Sequence, residues 1–215
     1  VSTSSCQEIA IKETMSNIVD RPYHHGDLKR ALIDTAMAML HEDKNWQFTL
    51  REVARRAQVS HAAPYKHFAD KAALLKEVSL IGFDQLRAAL ARATDAGEAS
   101  LRAAIFAMAQ GYICFATTNP GLYRLMFSAD AGSGTEIHLS ERALSTLGVL
   151  VDLLERGQAD GQLRPGDVRA QVAACWAMVH GLALLSMDGL LLPEKVGPHA
   201  LEGALTVLFD GLGNV

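Results

Sequence analysis

Between Thr49 and Lys71 the chain reads TLREVARRAQVSHAAPYKHFADK, and this stretch restricts the fold more than any other. Thr49 followed three residues later by Glu52 is a capping box, which starts a helix. Val53 and Ala54 face inward on the helix this predicts, over Leu50 to Ala57. Gln58-Val59 leaves room only for a tight turn. Ser60 then offers a second cap, predicting a third helix that Phe68 closes. Lys71 opens a long fourth helix to about Ala93, with Leu74, Leu75, Val78, Ile81 and Leu86 at inward spacing. Upstream, Leu28, Leu32, Ala36, Met39 and Leu40 recur at helical period, predicting a first helix over 28–42 with Asp27 at or near its cap. Two short helices joined by a tight turn and resting on a preceding helix describe a helix-turn-helix.

Such a unit leaves one helix face free to enter a major groove. His61, Ala62 and Ala63, in the first turn of the third helix, are the candidate base readers. Alanine methyls suit a thymine methyl, and an imidazole can donate to a base-edge acceptor. Ser60 as cap would aim free N–H groups at a phosphate. Lys66, His67, Tyr65, Arg55, Arg56, Thr49 and Lys71 complete the candidate DNA-binding set. Bland alternatives stand beside these roles: Arg55 and Arg56 as solvated charges, Tyr65 as a core aromatic. Pro64 falls late in the first turn, where its missing N–H costs little, and it would stiffen the reading helix.

Charge supports a basic head. Residues 21–76 hold ten Lys/Arg and six Asp/Glu, a net of +4, while residues 77–215 hold nine against fifteen, a net of -6. One end of the chain is suited to phosphates, the other is not.

Beyond a break at TDAGEAS the chain reads as helices over about 99–118, 121–127, 137–156, 168–187 and 201–212, with no strand of consequence. The expected class is all-α, with about nine helices: a three-helix head joined by the long helix to a helical bundle. Residues 1–22 read as a flexible tail with a helical turn near Ile9 to Met15, residues 23–70 as the DNA-binding domain, and residues 71–215 as an effector-binding and dimerisation domain. The three cysteines, Cys6, Cys114 and Cys175, are too scattered for a disulfide framework or a zinc cluster. No secretory leader and no uninterrupted apolar run of about 18 residues is present, so a cytoplasmic location away from membranes is expected. The apolar stretch Ala173 to Leu192 carries His180 and Asp188 and reads as a buried helix.

The head resembles the DNA-binding domain of the TetR family of bacterial transcriptional regulators. The residues that carry the resemblance are Thr49, Val53-Ala54, Ala57-Gln58-Val59-Ser60, Tyr65-Lys66-His67-Phe68 and Lys71. Gln58 stands where the family usually has glycine. The turn is therefore made either without a left-handed residue or with mild strain. A weaker resemblance, to one subgroup's effector domain, lies in Trp176, His180 and Gly181 and in Asn119-Pro120, Tyr123 and Met126-Phe127. It implies an effector-binding domain whose last two long helices, about 166–188 and 196–212, form a homodimer. Tyr112, Phe115, Tyr123, Met126, Phe127, Trp176, Met178 and His180 are the candidate effector-binding residues, suited to a small apolar molecule. No metal, cofactor or catalytic residue is implied. The expected function is a ligand-responsive regulator, by family habit a repressor, binding palindromic double-stranded DNA as a dimer. The alternatives are a helical adaptor without DNA binding, or an enzyme.

Overall fold

The computed structural model describes residues 28–95, 100–128 and 134–213. The expected tail at 1–22, its helical turn, Cys6 and the Asp27 cap lie outside the described residues.

The described chain is all-helical: α1 (Leu28–Asp43), α2 (Leu50–Arg56), a 3-10 turn (Pro64–Lys66), α3 (Lys71–Asp95), α4 (Leu101–Thr118), α5 (Pro120–Met126), α6 (Gly134–His138), α7 (Glu141–Ala159), α8 (Val168–Met187), α9 (Pro193–Val196) and α10 (Ala200–Leu212). The long α3 joins the head to the C-terminal bundle. Two expectations about the elements are corrected. The helix predicted over 137–156 is two helices, because Ser140 accepts the N–H of Ala143 at 3.3 Å and caps a fresh start. The short α9 went unforeseen; Pro193 at its first turn pre-sets the backbone for it.

The described residues divide into two compact units, one of 28–82, 118–128 and 134–138, the other of 83–95, 100–117 and 139–213. The division falls within α3, and α5 and α6 group with the head.

In the first unit, Leu32, Ala36 and Leu40 of α1, Val53 and Ala54 of α2, Phe68, and Leu74 and Val78 of α3 are buried to within a few per cent. Asp70 caps α3 by accepting the N–H of Ala73 at 2.8 Å. Asn119-Pro120-Gly121 lets α5 start directly against the end of α1. A Cβ on Gly121 would collide with the carbonyl oxygen of Leu40 and lie 3.0 Å from the Cα of Lys44.

In the second unit, Thr146 of α7 donates to the Phe83 carbonyl at 3.0 Å, and Arg142 binds the Asp84 carboxylate, so α7 grips the second half of α3. The expectation that the Ala173–Leu192 stretch is buried is corrected. Only Val172, Cys175, Leu182 and Ala183 of α8 are buried. This helix is long and apolar enough to cross a membrane by length and composition, with 17% of its window buried. Val207 of α10 is 70% exposed.

Candidate nucleic-acid interface

The capping box forms as its spacing predicts. Thr49 accepts the N–H of Glu52 at 3.2 Å, and Glu52 accepts the N–H of Thr49 at 2.6 Å and its hydroxyl at 2.9 Å. These bonds, backbone first, hold the Glu52 carboxyl below its ordinary range. The Thr49 hydroxyl is thus engaged within the cap.

The turn after α2 is a Schellman motif. Gln58 donates to the Arg55 carbonyl at 3.2 Å and Val59 to the Ala54 carbonyl at 3.0 Å. The motif demands a left-handed residue at position 58, and Gln58 supplies it with φ +56°. Of the two ways to make this turn, the chain takes the strained one.

The third helix is the main correction. No α-helix runs from Ser60 to Phe68; a single 3-10 turn spans Pro64 to Lys66, with Ala63 before it and no side-chain cap. Proline is the cause. Pro64 has no N–H to return to the Ser60 carbonyl, which instead takes the N–H of Ala63 at 2.9 Å. His67 and Phe68 both bond back to the Pro64 carbonyl, at 3.0 and 2.9 Å. Proline therefore starts the short helical element here, and Ser60 does not cap it.

Ala63 is 8% exposed and lies with Pro64 in the head's core, so its methyl is withdrawn from any base. Ser60, His61, Ala62, Tyr65, Lys66 and His67 are exposed, Tyr65 at 54%. Two expected phosphate contacts are drawn into the fold. Arg56 pairs with Glu42 and ties α2 to α1. Lys71 sits with its Nζ 5.5 Å from the Phe48 ring centroid, and burial pushes its pKa down against the pull of Glu52.

Arg55 stays exposed on α2, one turn from Arg51, which sequence reasoning passed over. Neither forms a salt bridge among the described residues, and like charges at i, i+4 disfavour a helix by a few tenths of a kcal/mol. The signal was in the sequence: Arg51 follows the Thr49 cap by two residues, on the same stripe as Arg55.

The effector candidates divide between the units. In the second, Tyr112 and Phe115 are buried, and the Tyr112 hydroxyl lies 3.1 Å from His180 Nδ1. Trp176, 41% exposed, tilts over the same imidazole with ring centroids 5.9 Å apart, and Met178 is half-buried. In the first, Tyr123 and Met126 are buried, and Tyr123 packs on Phe127 at 4.9 Å. Phe127 in turn stacks on His138 at 5.6 Å, whose pKa burial lowers. Among the described residues no group of three or more His, Cys, Asp or Glu could hold a metal ion.

Comparison with known proteins places this geometry. The profile of "Bacterial regulatory proteins, tetR family" matches residues 32–78, and that of "Tetracyclin repressor-like, C-terminal domain" matches residues 105–208. No curated protein matches. Among solved structures, a protein of unknown function from Rhodococcus sp. RHA1 is 34% identical, with TM-score 0.77 over 91% of this chain and 100% of that one. The TetR family regulator PfmR from Thermus thermophilus is 22% identical, with TM-score 0.61 over 85% and 99% of the two chains. A TetR family transcription regulator from Marinobacter aquaeolei is 17% identical, with TM-score 0.66 over 88% and 97%. The last two likenesses speak to the fold alone. With an N-terminal and a C-terminal domain of one family matched in order, and a capped helix, a Schellman turn and a short 3-10 turn between Thr49 and Lys71, the chain belongs to the TetR family of bacterial transcriptional regulators, proteins that bind DNA under ligand control rather than catalyse.

Proposed function

We propose that this protein is a cytoplasmic repressor that binds palindromic DNA as a homodimer and releases it when a small apolar effector binds. The observation that carries the DNA-binding part is the exposed strip His61, Ala62, Tyr65, Lys66 and His67, flanked by Arg51 and Arg55 on α2. His61 and Ala62 read base edges in this account, and Lys66, His67, Tyr65, Arg51 and Arg55 fix the backbone. Residues 23–70 act as the DNA-binding domain and 71–215 as the effector and dimerisation domain.

Self-association rests on α8 and α10. Ala173, Ala174, Trp176, Ala177 and Leu185 of α8 and Val207 of α10 are apolar groups left wholly or partly open to solvent on helices otherwise built for a core. Gly181, Gly203 and Gly211 have nothing within 4 Å of an added Cβ, which leaves room for a close helix. A two-fold pair would set two heads about 34–36 Å apart, one turn of DNA. For the effector, Tyr112 and His180 provide a polar point, and Phe115, Trp176 and Met178 an apolar wall, with Trp176 and His180 in the Trp-x-x-x-His-Gly segment and Tyr112 and Phe115 on α4. Tyr123, Met126 and Phe127 form the second candidate group.

Selection of bound fragments from a random duplex pool tests the reading. Enrichment of inverted repeats with half-sites about ten base pairs apart is expected. Recovery of fragments no different from the starting pool would instead favour the adaptor without DNA binding.

A further inference from the structure

Helix α10 presents three faces, roughly 120° apart at 100° per residue. Leu205 and Leu208 point into the second unit's core. Gly203, Val207 and Gly211 face outward and are exposed. The third face, Thr206, Phe209 and Asp210, is held by one side chain, Arg102 in the first turn of α4.

The Arg102 guanidinium lies over two rings, 4.8 Å from the Phe209 ring centroid and 5.0 Å from that of Phe106. Its Nη1 meets Asp210 Oδ1 at 3.1 Å, and its Nη2 donates to Thr206 Oγ1 at 3.3 Å. A cation in the first turn opposes α4's own dipole, so what holds the residue is Phe106 one turn on in its own helix together with Thr206, Phe209 and Asp210 of α10. A surface ion pair alone would contribute little. A cation held over two aromatic rings, with forked hydrogen bonds to a third and fourth partner, suits the guanidinium of arginine better than the ammonium of lysine.

We propose that Arg102 is a positioning residue for self-association: by holding one side of α10 it fixes the roll of that helix about its axis, and so keeps Gly203, Val207 and Gly211 turned toward a second copy. The core face of this 13-residue helix and its C-terminal end, where Arg164 donates its N–H to the Leu212 carbonyl at 2.9 Å and its Nε to the Gly213 carbonyl at 2.8 Å, are held independently of Arg102; Arg102 is the side-chain grip on the Thr206–Asp210 stretch. Rolling by one face would replace the Gly203–Val207–Gly211 surface with charged Asp210 and Glu202. The inference rests on the homodimer proposed above.

Sedimentation equilibrium of the full chain decides it, with far-UV circular dichroism and thermal unfolding on the same samples. Arg102→Ala is expected to raise the dimer dissociation constant about tenfold, the loss of ring contacts and hydrogen bonds together. Arg102→Lys keeps the charge beside Asp210 but loses the guanidinium over the two rings, and is expected to raise it roughly threefold. If Arg102→Ala folds poorly, Arg102→Lys and Asp210→Asn, which retain more of the packing, carry the test. Arg102→Lys associating like the wild type would reduce the contact to simple charge and overturn the inference. So would variants that melt earlier yet dimerise within about twofold of the wild type. A wild-type chain that stays monomeric at every concentration would remove the dimer itself, a distinct failure visible before any variant is made.

Discussion

Replacing Gln58 by glycine should stabilise this protein, although it deletes a side chain and adds nothing. Gln58 occupies the left-handed position of the Schellman turn after α2, at φ +56°, with both of the motif's hydrogen bonds in place. A residue with a Cβ loses roughly 1–2 kcal/mol there. Glycine recovers that but returns about 0.4–1 kcal/mol through its freer unfolded chain. The net gain is about 0.5–1 kcal/mol, since the exposed Gln58 side chain forfeits no packing. For a chain of this length that is roughly 1–4 °C in Tm, read by circular dichroism at increasing temperature and checked by urea titration. The molecule carries its own controls. The turns after α7 and α8 have the same bond pattern, Gln162 to the Gly157 carbonyl and Leu190 to the Leu185 carbonyl, with glycine in the left-handed place at φ +70° and +66°. Neither Gly161 nor Gly189 has anything within 4 Å of an added Cβ, so Gly161→Gln and Gly189→Gln test the backbone term alone. Each should destabilise by about 0.5–1 kcal/mol. A destabilised Gln58→Gly, alongside glycine-to-glutamine changes without cost, would refute the strain argument.

Thr49→Ala removes the side-chain half of the capping box and should cost about 1 kcal/mol in urea unfolding. Because its bonds from Thr49 lower the Glu52 pKa, the cap's contribution should hold above the ordinary carboxylate range and fade as pH falls through the folded value, followed by helical signal in an acid titration. Ser79 is fully buried and its hydroxyl has no hydrogen-bond partner among the described residues, so Ser79→Ala should be neutral or stabilise by up to about 1 kcal/mol; a loss larger than that would mean the hydroxyl is bonded in solution. Burial pushes the Cys175 thiol up to about 11 from 9.0. It should resist alkylation at a pH of about 8 while the half-buried Cys114 reacts, as peptide mass mapping would show, and stability should drop as pH climbs from about 9 through about 11, where the unfolded thiol ionises first.

Much of this was legible in the chain, for physical reasons that also explain the gaps. Helical apolar spacing located α1, α2, α3 and α8 closely because their faces bury residues three and four apart. The Thr49–Glu52 box was legible because it is local. What failed was non-local or single-residue. One proline turned a recognition helix into a 3-10 turn and carried Ala63 inward. Glu42, fourteen residues away, claimed Arg56, and the Phe48 ring drew Lys71, neither of which a local pattern can announce. The apolar content of α8 reads as core because composition alone does not say how much of a hydrophobic helix its own chain covers. Size and aromaticity single out the effector set, and these do not reveal that Tyr112 and His180 belong to one unit while Tyr123 and Phe127 belong to the other.

The central claim is that the head binds DNA through phosphates at Lys66 and along the Arg51–Arg55 stripe. The most direct measurement is the affinity for a fragment recovered by selection, followed by fluorescence anisotropy as salt rises. A dimer should show a steep fall of log K with log salt, and Lys66→Gln or Arg51→Gln should each make that slope shallower by about 2, one for each copy. An affinity indifferent to salt, or slopes that neither variant changes, would contradict the account.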